Sequence, residues 1–81
     1  MEEFRQWLLD QGFNNWWDNK YEKKLTMSYT CYVNLEEFNI PIRVGYYNTS
    51  DDSDITEYHG DSFERAKKAI SEIELNHINW T

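Results

Sequence analysis

The chain has 81 residues, the size of one domain, with fifteen acidic against eight basic side chains and a net charge of −7. That balance argues against direct binding of nucleic acid or an anionic membrane, because both need clustered Lys and Arg. A basic protein surface is the natural complement. A chain this short buries only about 60–65% of the surface its unfolded form exposes. Its four Trp, six Tyr and four Phe must supply the core, and some of their area should stay outside.

Glu2 to Gln11 reads as a short helix. Phe4, Trp7 and Leu8 share one face, Glu2 and Glu3 sit at the positive end of the dipole, and Gly12 is the expected left-handed stop. Asn14 could cap a further turn, since Trp16, Trp17 and Tyr21 have helical spacing. One Trp of the pair should then face the core, and Trp17 is taken as the exposed one. Lys24 to Asn34 alternates, with Leu25, Met27, Tyr29, Cys31 and Val33 on one side and Thr26, Ser28, Thr30 and Tyr32 on the other. Period two with β-branched and aromatic residues predicts a strand with one buried face.

A polar connection follows, and Ile40 to Asn48 alternates again. Pro41, which lacks an amide donor, should lie at the start of that strand or at a sheet edge. Turn formers fill 48–53, and Asp54 to His59 makes a short third strand carrying Ile55 and Tyr58. Asp61 and Glu64 have capping-box spacing and open a second helix with the stripe Phe63, Ala66, Ile70 and Ile73. That helix should end near Asn76, with Ile78 and Trp80 docking as a tail. The predicted fold is α+β: a three-stranded antiparallel meander with an N-terminal and a C-terminal helix on one face, in one domain spanning 1–81.

Chemistry-bearing patterns are sparse. From Val44 to Glu64 there are six acids (Asp51, Asp52, Asp54, Glu57, Asp61 and Glu64) and no Lys or Arg, interleaved with Tyr46, Tyr47 and Tyr58. Asp51, Asp52 and Asp54 should cluster at one hairpin tip. Carboxylates two apart on a strand stand roughly 6.6 Å from each other, a spacing comparable to that of backbone phosphates. The calcium-loop pattern fails, because Glu57 stands where glycine is required and Phe63 where the last Glu should be. His59, His77 and Cys31 lack the close paired spacing of a zinc site. No metal and no cofactor are expected. His59, Asp61 and Ser62 are the residue types of nucleophilic catalysis, but they crowd into one turn, whereas a working triad draws on distant elements. No enzyme activity is expected.

Cys31 is the one cysteine, so no internal disulfide forms, as in a reducing compartment. The acidic start Met1-Glu2-Glu3 is unlike a secretory signal, and no apolar run approaches the roughly 20 residues of a membrane span. The expected location is the cytoplasm. These features resemble, in general character, phage-encoded inhibitors of host enzymes and defence systems, which would place the chain in the host cytoplasm. No motif carries that resemblance, and it assigns no residue.

The expected function is that of a small acidic binding protein. It would cover a basic surface of a larger protein, such as a nucleic-acid-binding host protein, through the acidic stretch, its tyrosines and Trp17. The alternative is a self-associating structural or adaptor protein, a homodimer joined by an edge strand such as Ile40–Asn48 and by exposed aromatics.

Overall fold

The computed structural model describes residues 2–78. In chain order the elements are α1 (Glu2–Asp10), β1 (Asn14–Trp17), β2 (Lys20–Lys24), β3 (Tyr29–Glu37), β4 (Ile40–Asn48), β5 (Ser53–Gly60) and α2 (Phe63–Ile78). The strands form one antiparallel sheet in sequential order, β1-β2-β3-β4-β5. The architecture is therefore α+β as expected, with five strands where the sequence reading has three.

The two extra strands come from the segment expected to be helical. Asn14 to Trp17 pairs with Lys20 to Glu22 around a two-residue turn at Asp18-Asn19. Trp16 is an extra residue in that ladder, a bulge at which the register shifts. The bulge breaks strict alternation, so the aromatic spacing imitates a helix. Neither Trp faces the core: Trp16 is 56% and Trp17 66% exposed.

The alternating run Lys24 to Asn34 is also cut. Residues 25–28 form a turn whose Thr26 hydroxyl accepts from the amides of Ser28 (3.2 Å) and Tyr29 (3.1 Å). This local side-chain bond competes successfully with the ladder. Met27, placed on the buried face by alternation, is 89% exposed. The strand resumes at Tyr29 and runs through the supposed polar connection to Glu37. Phe38 and Asn39 then turn the chain with φ of 53° and 63°, the double positive φ of a two-residue hairpin turn.

β4 occupies the expected residues but is an inner strand, flanked by β3 and β5. It cannot be the pairing edge. Pro41 is tolerated because the β5 ladder reaches only as far as Ile42, paired with Gly60. In β5, Val44 faces Tyr58 while Gly45 faces Thr56, so Glu57 is bulged out. The bulge brings Ile55 and Tyr58, three apart in sequence, to the same side of the sheet.

Both helices lie on one face. The core joins Phe4 and Leu8 of α1, Ala66, Ala69, Ile70 and Ile73 of α2, and Tyr21, Cys31, Val33, Leu35, Ile42 and Val44 of the sheet, with Phe13 between α1 and β1. Gly12 ends α1 at φ +94°, as its position predicts. α2 starts one residue later than expected. Ser62 is the N-cap, its Oγ accepting from the Arg65 amide (3.2 Å), and the Asp61–Glu64 box does not form. α2 continues past Asn76 to Ile78, and the Trp80 tail lies outside the described residues.

α1 is held largely by aromatics. The Phe4 ring stacks on Trp7 (5.9 Å) and on Phe63 at the start of α2 (5.3 Å), and Phe4 is 1% exposed. Phe4→Ala should cost about 3 kcal/mol, a large fraction of a small domain's stability. Urea unfolding followed by circular dichroism measures it, and a loss under about 1 kcal/mol would mean that α1 is docked by something else.

Candidate functional site

Among the described residues, no helix or strand packs on the face of the sheet opposite the helices. Register places three rows of side chains across it: Lys20–Asn34–Arg43–His59, Glu22–Tyr32–Gly45–Thr56, and Lys24–Thr30–Tyr47–Asp54. A glycine in the middle row makes space for its neighbour. A Cβ built on Gly45 would fall 2.5 Å from the Tyr32 hydroxyl and 2.7 Å from its Cζ. The Tyr32 ring therefore lies across Gly45 towards β5, where its hydroxyl donates to Asp54 Oδ1 (2.7 Å) and sits 3.2 Å from Thr56 Oγ1. Burial, then the hydrogen bond to Asp54, raises the Tyr32 hydroxyl above its ordinary value, so it stays a donor at neutral pH. The Arg43 guanidinium carbon stands over the ring, 6.0 Å from its centroid.

The β4–β5 turn closes the negative end of this face. Asn48 Oδ1 accepts from the Ser50 amide (2.9 Å) and Asp51 Oδ1 from the Ser53 amide (3.1 Å), the local side-chain bonding that turns favour. Asp52 adopts φ 59°, which a short polar side chain tolerates. The Tyr47 hydroxyl donates to Asp52. The turn is tied to the β2–β3 turn through the Thr49 amide and the Ser28 carbonyl (2.8 Å) and through the two hydroxyls of Ser50 and Ser28 (3.0 Å). Asp51, Asp52 and Asp54 are exposed, and none pairs with a cation among the described residues.

The remaining acids of the stretch lie elsewhere. Glu57, in the bulge, borders a hollow on the helical side with Arg65, Lys68 and Glu72. Asp61 follows β5 at the opposite end of the strand from the tip, and Glu64 lies in the first turn of α2, 3.8 Å from Lys67. Of the tyrosines, Tyr47 is on the open face, while Tyr46 and Tyr58 pack against the core. Tyr46 and Tyr29 hold the His77 ring at 4.4 Å and 4.3 Å. The Tyr58 hydroxyl accepts from the Ser62 amide (2.9 Å). Trp17 borders a separate hollow with Leu35, Glu36 and Glu37, at the end of the sheet away from the tip.

The structure thus assembles Asp51, Asp52, Asp54 and Tyr47 from the sequence-based set and adds Trp16, Tyr32 and Glu22. Trp16, Lys20, Glu22, Tyr32, Tyr47 and Asp54 are among the residues that line one open depression of about 410 Å³. Tyr32 was visible in the sequence as the one aromatic among Thr26, Ser28 and Thr30. Trp16 carried no such signal, because its direction is set by a bulge. Among the described residues, no three His, Cys, Asp or Glu side chains converge as metal ligands would, and no helix is long and apolar enough to cross a membrane. No family model, curated protein or solved structure matches the chain.

Cys31 stands on the other side of the sheet, fully buried. Burial pushes its thiol up to about 12, with Glu74 adding to the effect and Lys23 opposing it. The unfolded chain loses that proton near the ordinary value of 9.0, while the native state keeps it. Above that value the unfolded state binds fewer protons, so stability falls as pH rises, by about 1.4 kcal/mol per pH unit until the native thiol ionises. Between pH 8 and 10 the natural chain should lose about 1.4 kcal/mol more than Cys31→Ala in urea unfolding. Equal losses would contradict a thiol held protonated by the fold.

Proposed function

We propose that this chain is a small, non-catalytic binding protein that covers a basic surface of a larger protein, using the open sheet face and the acidic β4–β5 tip. One observation carries the reading. No described element packs on the sheet face away from both helices, and that face ends in three exposed carboxylates with no cation partner among the described residues. Tyr47 and Tyr32 hydroxyls hold two of those carboxylates in place, so a cationic partner meets charges that are already oriented. Aromatic area beside a charged rim is the composition of a protein interface.

A groove that ordinarily holds nucleic acid is the natural target, because it presents the clustered Lys and Arg that such a tip complements. The general character of phage-encoded inhibitors of host enzymes and defence systems agrees with this, and host cytoplasm would be the place of action. Ser62, the one nucleophile type beside His59 and Asp61, uses its hydroxyl to cap α2.

Self-association through an edge strand is less well supported. The long edge is β5, which carries Asp54 and Glu57 and is interrupted by a bulge. Charges and bulges are the devices that keep edges from pairing. The test is charge reversal at the tip: Asp51→Lys, Asp52→Lys and Asp54→Lys together should abolish partner capture while the fold persists.

A further inference from the structure

We propose that the depression on the open face receives an arginine side chain of the basic partner, a reading that rests on the function proposed above and names what the face recognises. Beside the ion-paired Lys20 and the neutral Thr30, Asn34 and Thr49, the depression is lined by two kinds of group. Trp16, Tyr32 and Tyr47 supply ring faces, and Glu22 and Asp54 supply carboxylates. Neither Glu22 nor Asp54 forms an ion pair with a described residue. Asp54 gives Oδ1 to the Tyr32 hydroxyl, and its Oδ2 has no partner among the described residues.

The cation in the depression, Lys20, and its neighbour Arg43 are already committed. Lys20 is paired with Glu37, and Arg43 reaches the same carboxylate at 3.6 Å. Lys24 lies on the same face but outside the lining. The charge balance inside the depression therefore favours a cation. A neutral ligand would strip water from two carboxylates and return no countercharge, which costs more than its hydrogen bonds recover. A phosphate would be repelled outright.

Among cations, the rings select guanidinium. A planar guanidinium can lie on an aromatic face and donate within its plane to a carboxylate at the same time, whereas an ammonium is a compact, strongly hydrated point charge. The molecule contains its own example: Arg43 stands over Tyr32 while its Nε donates to Thr56 Oγ1 (3.1 Å). Trp16, projected by its bulge from the edge strand and 56% exposed, is the ring left for an incoming side chain.

The test is a titration of the full chain, followed by amide and indole NMR shifts, with three peptides identical but for one central residue. That residue is arginine, lysine or citrulline, and the rest is uncharged. The arginine peptide should shift the Trp16 indole and the amides of Thr30, Asn34 and Thr56. The citrulline peptide should bind at least about tenfold more weakly, and the lysine peptide should fall between them. Trp16→Ala and Glu22→Gln, both on exposed side chains, should each weaken the arginine peptide by about three- to tenfold. Equal binding of arginine and citrulline peptides would overturn the inference. So would shifts confined to Asp51 and Asp52, although the acidic-tip reading would then survive. No shift anywhere on the open face or the tip would count against both.

Discussion

Gly45→Ala is expected to remove about 3 kcal/mol of stability, and Gly45→Val to leave no native population at room temperature. The reason is local. A Cβ at this position would lie 2.3 Å from the Ile55 carbonyl oxygen and 2.5 Å from the Tyr32 hydroxyl. The tyrosine could swing aside, at the expense of its bonds to Asp54 and Thr56. The carbonyl could not, because it belongs to the β4–β5 ladder at the point where its register shifts around Glu57. Relief would require parting the two strands, and β5 carries Tyr58 into the core and the chain into α2.

The double variant Gly45→Ala, Tyr32→Ala separates the two contacts. It should recover little, because the backbone clash remains. Urea unfolding of the single and double variants measures both effects. A Gly45→Ala chain within about 0.5 kcal/mol of the natural one would mean that the β5 backbone does not approach Gly45 as described. The same variant bears on the site, since Tyr32 both roofs Gly45 and orients Asp54.

The parts of this fold legible in the sequence are those where one period runs without interruption. α1 was readable from Phe4, Trp7 and Leu8 ending at Gly12, β4 from Ile40 to Asn48, and α2 from the stripe at Ala66, Ile70 and Ile73. The β1–β2 hairpin was not, for a physical reason. A bulge at Trp16 inserts one residue and turns a two-residue period into spacing that fits a helix. Thr26 hid a turn inside a well-formed alternation, because one hydroxyl bonding two amides leaves no mark on hydrophobic patterning. The bulge at Glu57 worked in the other direction, placing Ile55 and Tyr58 on one side despite their odd separation.

For the site, composition located the acids but not their directions. A strand, a bulge and a helix start send Asp54, Glu57 and Glu64 to different parts of the surface. Tyr46 and Tyr47, adjacent in sequence, must face opposite sides of the sheet, and only Tyr47 reaches the open one. Tyr32 could be placed on the polar face by alternation, but its reach across Gly45 to Asp54, and the direction of Trp16 at its bulge on the far edge strand, depend on tertiary placement that no local pattern encodes.

The second large effect concerns binding. Reversing Asp51, Asp52 and Asp54 to lysine changes the tip by six charge units where no described cation is present to be displaced. If each reversal costs about 1 kcal/mol of favourable interaction with a basic partner, affinity should fall roughly 100-fold or more. Stability should fall modestly while the fold persists: the side chains are exposed, but the lysines give up the Asp51 bond to the Ser53 amide, the acceptors of the Tyr32 and Tyr47 hydroxyls and the short side chain at the positive φ of Asp52. The triple Asp→Asn variant is the necessary companion. It keeps oxygen acceptors for the Tyr32 and Tyr47 hydroxyls and removes only charge. It should bind between the natural chain and the lysine variant. The natural complex should also weaken as salt rises, because an exposed charge contact is screened within roughly 10 Å at moderate ionic strength.

The most direct measurement is therefore the affinity of the captured partner for the natural, Asp→Asn and Asp→Lys chains, at low and at moderate salt, with circular dichroism of each chain as the control for folding. Affinity that falls in that order and narrows with added salt is the predicted result. Three folded chains that hold the partner equally well, at both salt concentrations, would contradict the claim that this tip and the open face beside it are where the protein binds.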